Sequence, residues 1–107
     1  HNGWAFDLTE DGRPSGVEFA GHSVTSPGME SYFSTFPATA LEAAIRETNP
    51  MLKWANFGKR GYMTVDLTPS AASCDWHYVS DIAQRSSAIT GAHNQTARRG
   101  ERVLNKA

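Results

Sequence analysis

Cysteine is almost missing from this sequence: Cys74 stands alone among 107 residues. A single thiol makes no intrachain disulfide and no zinc site, which excludes a disulfide scaffold and a zinc module. A lone cysteine is expected as a small buried hydrophobe. An excess of charge is missing too, with 10 Lys and Arg against 11 Asp and Glu and a formal net charge of −1. No face is basic enough to coat a nucleic-acid duplex. No apolar run approaches the roughly 18 residues that a membrane-spanning helix needs. No charged lead-in followed by an apolar segment reads as a signal peptide. The compact catalytic signatures are absent as well: no phosphate-binding glycine loop, no G-x-G-x-x-G, no G-x-S-x-G elbow. The four histidines, His1, His22, His77 and His93, form neither an H-x-H nor an i, i+4 pair. Nothing repeats and no stretch is low-complexity.

What is present reads as one soluble globular piece, with 39% hydrophobic and 20% charged residues and a length that suits one domain. Trp4, Phe6 and Leu8 alternate with Ala5 and Asp7, which is strand period. Asp11-Gly12 predicts a tight turn. "VEFAGHSVTS", from Val17, predicts a second strand in which Gly21 marks a bulge or a close backbone approach. Met29 to Pro37 has no period and reads as loop. "TALEAAIRET" is the one good helix. Thr39 and Glu42 have capping-box spacing, and Leu41, Ala44, Ile45 and Thr48 make an apolar stripe. Asn49-Pro50 ends it, with a short turn expected to carry Met51, Leu52 and Trp54. "YMTVDL" and "AASCDWHYV", joined at "TPS", predict a hairpin. In the polar tail, short strands are expected at Ala88–Thr90 and Arg102–Leu104.

The expected fold class is therefore α+β, mostly antiparallel strands with one main helix. One short helix cannot cover several amphipathic strands and the aromatic surface of Trp4, Phe6, Phe33, Phe36, Trp54 and Trp76. A missing partner layer from a larger fold is the expectation.

The stretches Trp4-Ala5-Phe6-Asp7-Leu8 behind His1, Val17-Glu18-Phe19, Ser23-Val24-Thr25-Ser26-Pro27-Gly28, Asn49-Pro50 and Arg60-Gly61-Tyr62-Met63 follow one another in order. Together they resemble the carboxy-terminal part of the alkaline phosphatase D family, a branch of the calcineurin-like metallophosphoesterases, over roughly residues 1–80. The resemblance implies that residues 1–107 are the C-terminal segment of a metallophosphoesterase catalytic domain, part of a larger α/β/β/α sandwich. The N-terminal part of that domain would be a partner outside this sequence. It further implies an exported bacterial protein, periplasmic or extracellular, acting on a phosphate ester. The implied cofactor is a dinuclear metal site of iron and calcium, which suits imidazole and oxygen ligands respectively. The segment alone is then expected to be inactive.

The resemblance makes His1 a metal ligand, where a bare reading leaves it a solvated strand-edge residue. Asn2 either contacts substrate beside that ligand or simply begins the strand. Ser23, Thr25 and Ser26 either approach the site or serve the turn's own hydrogen bonds. Lys59 and Arg60 offer cations for phosphate, or are solvated at a turn. His22, His77 and His93 read as ordinary packing. The competing reading of the whole is a self-sufficient β-rich binding module whose tryptophans make a partner surface.

Overall fold

The computed structural model describes residues 1–105. β1 (Gly3–Glu10) and β2 (Arg13–Ala20) form an antiparallel hairpin. Asp11 and Gly12 turn the chain with φ of 50° and 74°. Positive φ at both central residues gives the turn whose twist matches its strands, and Asp and Gly tolerate it. β2 begins four residues earlier than its apolar pattern suggests and stops at Ala20. Ser15 bulges out of β2 opposite the Leu8–Thr9 step, and Pro14 pairs with Thr9 beyond it, which an edge strand allows because the missing N–H would face outward. Gly21 lies beyond the strand, and the bulge of β2 falls at Ser15 instead, the residue left unpaired between Gly16 and Pro14.

β3 (Leu52–Asn56) pairs antiparallel with the other side of β1, giving a sheet of order β2-β1-β3. The expected turn forms at Pro50 and Met51, but Leu52 and Trp54, expected in it, belong to the strand. Its signal is weak locally, and pairing with β1 creates it. α1 (Ala38–Thr48) starts after Pro37, with no side-chain cap. The expected capping box does not form: Thr39 lies inside the first turn, and Glu42 accepts the Phe57 N–H at 2.7 Å. Proline's fixed φ starts the helix without a hydroxyl. Asn49 ends it in extended geometry. Leu41 and Ile45 pack on Leu52, Ala55 and Phe57, with Trp4 and Phe6 in the same cluster. Met29–Ser31, expected as plain loop, forms one short 3₁₀ turn.

The second sheet, β4 (Gly61–Leu67), β5 (Ala71–Val79), β6 (Ile89–Arg98) and β7 (Leu104–Asn105), is antiparallel throughout. The β4–β5 hairpin matches its predicted bounds closely. The tail does not, because β6 is a ten-residue strand. Its inward residues are His93, Gln95 and Ala97, so the usual apolar alternation is hidden.

The inner faces meet around Ala5, Cys74 and Trp76, with Phe19, Trp54 and Met63 packed against them. Trp76 is fully buried, its ring 4.5 Å from that of Trp54, and its Nε1 donates to the Ala20 carbonyl at 2.9 Å. Burial of such a ring contributes about 3 kcal/mol, with its one polar atom satisfied. The observed architecture is α+β: helix, sheet, sheet. The partner layer expected from elsewhere is thus partly supplied by the chain itself, covering Trp4, Phe6, Trp54 and Trp76. Phe33 and Phe36 stay 44% and 60% exposed.

Candidate functional site

Antiparallel pairing gathers chain ends at one end of the first sheet. Trp4 pairs with Ala20 and Gly3 with Asn56, so the entry to β1, the exit of β2 and the exit of β3 converge there. His1, Asn2, the Ser23–Gly28 turn and Arg60 all lie on these segments. Gly61 locks the third one. It opens β4 so close to β5 that a Cβ would overlap the His77 carbonyl oxygen. Its N–H donates to the Ser23 carbonyl at 3.0 Å, while Val79 donates to the Arg60 carbonyl at 2.9 Å.

His1 is exposed and borders an open groove of about 390 Å³ with Asn2, Ser26, Pro27 and Tyr32. Asn2 is buried, and its Oδ1 accepts the Met29 N–H at 3.1 Å. Ser26 is half-buried on the same groove. Ser23 donates its hydroxyl to the Ser26 carbonyl and so closes the turn. Thr25 is exposed but faces another groove, beside Val24, Val79 and Ile82. The structure therefore brings His1, Asn2 and Ser26 together, and leaves Ser23 and Thr25 off that surface.

Arg60 corrects the picture of two solvated turn cations. Lys59 is exposed, but Arg60 is only 4% exposed. Its Nη1 donates to the His1 carbonyl at 3.2 Å and the Lys59 carbonyl at 2.5 Å. Its Nη2 donates to the Phe57 carbonyl at 2.9 Å and to Glu30 Oε1. Glu30 Oε1 also accepts the Gly28 N–H at 3.1 Å. Burial alone would raise the Glu30 carboxyl. The Arg60 hydrogen bond, two backbone N–H groups and the Arg60 charge outweigh it and hold the carboxyl below its usual range. Gly28 sits hard against this cluster, where a Cβ would overlap Asn2 Oδ1.

Glu30 and Gly28 escape a reading of the sequence. Glu30 lies 30 positions from Arg60 in a stretch without period, and nothing local pairs them. Of the remaining histidines, His77 stacks on Tyr62 and His93 lies flat on Trp54 at 4.1 Å. His22 is buried edge-on to Tyr78, with both ring nitrogens lacking a hydrogen-bond partner among the described residues. Burial lowers its pKa, backbone contacts partly oppose this, and the Arg60 charge lowers it further. The described residues hold no cluster of three or more His, Cys, Asp or Glu side chains able to cage a metal.

Two antiparallel sheets and one helix define an α+β protein, with His1 exposed among the loops where the strand ends converge. A family profile described as PhoD-like phosphatase matches residues 1–76. The chain belongs to that family, whose phosphatases are metal-dependent hydrolases of phosphoesters. No curated protein and no solved structure matches the chain. No helix among the described residues is long and apolar enough to cross a membrane.

Proposed function

We propose that residues 1–107 are the C-terminal segment of a two-metal phosphoester hydrolase domain, with His1 as its metal-binding side chain. The observation that carries this reading is the family match together with an exposed imidazole on an open groove at the convergent strand ends. An imidazole nitrogen free to face solvent fits a metal, and iron is the metal it suits in an iron–calcium pair. A single nitrogen donor cannot hold two cations, so the other ligands belong to the N-terminal part of the same domain. When bound, the metal pair supplies an activated water and neutralises phosphoryl oxygens.

The chain's own residues set the frame. Asn2 ties the strand entry to Met29, so the His1 backbone leaves the sheet in a fixed direction. Ser26 offers polar surface on the His1 groove to an ester oxygen. Ser23 shapes the turn that carries Ser26. Thr25 reaches substrate only from the neighbouring groove. The segment alone is inactive in this reading, and the parent protein is exported, as its family resemblance suggests.

The test is hydrolysis of chromogenic phosphate monoesters and diesters by the longer protein, with and without chelator, as wild type and His1→Ala. Loss of activity on the order of 10³-fold is expected in the variant, since a metal site contributes several kcal/mol to such a transition state. Activity retained by His1→Ala would sink the ligand assignment. Activity retained under chelation would sink the metal reading.

A further inference from the structure

Arg60 is the cation nearest the His1 segment, and a phosphate-binding role is the obvious one to give it. The geometry points to another: we infer that the buried Arg60–Glu30 pair is a positioning clamp, holding the His1 backbone and the Ser26–Gly28 turn at a fixed separation. This inference rests on the metal-site reading above. A cation that meets a phosphate must present free N–H groups to the groove. Arg60 is 4% exposed, and its terminal nitrogens are engaged by three carbonyls and one carboxylate. The planar fork spans them in a way one ammonium cannot.

Each arm of the clamp ends on a piece of the site. One arm is the His1 carbonyl, in the same residue as the proposed ligand. The other runs through Glu30 Oε1 to the Gly28 N–H. Asn2 closes the loop by accepting from Met29, the next amide along. The base of the clamp is the Phe57 and Lys59 carbonyls, held by the exit of β3 and by the Gly61 contact with β5. The fit is tight. At Gly28 the backbone is extended, with φ −103°, so alanine meets no backbone penalty there. Its Cβ, however, would overlap Asn2 Oδ1 and stand 2.6 Å from Arg60 Nη2 and 2.7 Å from Glu30 Oε2. Gly28→Ala is therefore a steric wedge that displaces Asn2, Arg60 and Glu30 without altering the chemistry of any of them.

The experiment compares wild type, Arg60→Gln, Glu30→Gln and Gly28→Ala in the longer protein. It reads metal affinity by competition with a chelator, the KM and kcat of phosphoester hydrolysis, and hydrogen exchange at the Gly28 and Met29 amides. In Arg60→Gln and Gly28→Ala, metal affinity and kcat should fall about 10- to 100-fold, the range for groups that orient a ligand. KM should stay within about twofold, because uniform substrate binding is untouched, and the two amides should exchange faster. Glu30→Gln keeps an oxygen acceptor and should lose less. A large rise in KM with metal affinity unchanged would make Arg60 a substrate contact and overturn the clamp while leaving the hydrolase reading intact. Wild type without metal-dependent hydrolysis would overturn the hydrolase reading, and the exchange rates then decide the clamp alone: unchanged rates in Arg60→Gln refute it. Should Arg60→Gln not fold, Gly28→Ala and Glu30→Gln carry the same readouts.

Discussion

At the scale of single residues, burial governs the titrating groups. Cys74 is fully buried, and desolvation, with the nearby Asp75 charge, pushes its thiol up to about 11. Only the thiolate reacts. Iodoacetamide at pH 8 should therefore modify unfolded chain readily and native chain hardly at all, as intact mass would show. His22 and His93 are held below the ordinary imidazole value of 6.5, chiefly by burial. The unfolded chain takes up protons near pH 6.5 that the folded chain refuses, so stability falls as pH drops through that value and below. Glu30 acts in a lower window. Its depressed pKa gives stability that is present above the ordinary carboxyl value of 4.5 and lost as pH falls through the folded value. Because neither His22 nitrogen is partnered among the described residues, His22→Phe should stabilise by about 1 kcal/mol at neutral pH. The gain should widen at pH 5.5 in urea melts. An equal or lower midpoint at both pH values would show that the ring makes bonds worth keeping.

At the scale of elements, legibility tracks how local the cause is. The β1–β2 turn and the β4–β5 hairpin follow from Asp11-Gly12 and from clean alternation, and both form as the sequence suggests. β3 and β6 are illegible because long-range pairing makes them. Leu52–Asn56 becomes a strand only against β1, and β6 turns half-buried His93 and buried Gln95 inward, with Ala97 as the one small apolar residue in that row. The site divides in the same way. His1, Asn2 and Ser26 can be named from the sequence and do share a groove. The inward turn of Arg60 cannot, since it depends on Glu30 and on carbonyls that only the fold assembles. A local cause also gives a clean test. A Cβ at Gly12 would meet nothing within 4 Å, so only the φ of 74° resists substitution there. Gly12→Ala should cost about 1–2 kcal/mol in thermal or urea unfolding, without changing the slope of the urea transition. Loss of slope would mean that the turn shapes more than its own hairpin.

At the scale of the whole molecule, the chain is flatter and more open than its mass warrants. Its extents are 42 × 31 × 18 Å and its radius of gyration is 14.6 Å, against about 13 Å for a compact domain of this length. Its accessible surface is 6969 Å², where a compact monomer of 11.7 kDa has about 5,900 Å². The excess is partly apolar, since Tyr32 is 84%, Phe36 60% and Leu67 78% exposed. The sheet edges differ in how they are guarded. β2 carries Arg13 and Pro14, which blunt pairing, whereas β4 presents Tyr62, Val65 and Leu67 with Asp66 as its one charge. These properties suit a chain that completes a larger domain, and they make β4 the edge through which isolated copies should associate. Sedimentation velocity of the 107-residue chain should show concentration-dependent oligomers. Leu67→Lys should shift them towards monomer with little effect on folding, because that side chain is already in solvent. On the proposed reading, in which the rest of a larger domain competes for that edge, the same substitution should matter less in the longer protein. A chain that sediments as a monomer at every concentration and melts reversibly in one step would mean that two sheets and one helix are a sufficient domain, and the binding-module reading would then regain its place.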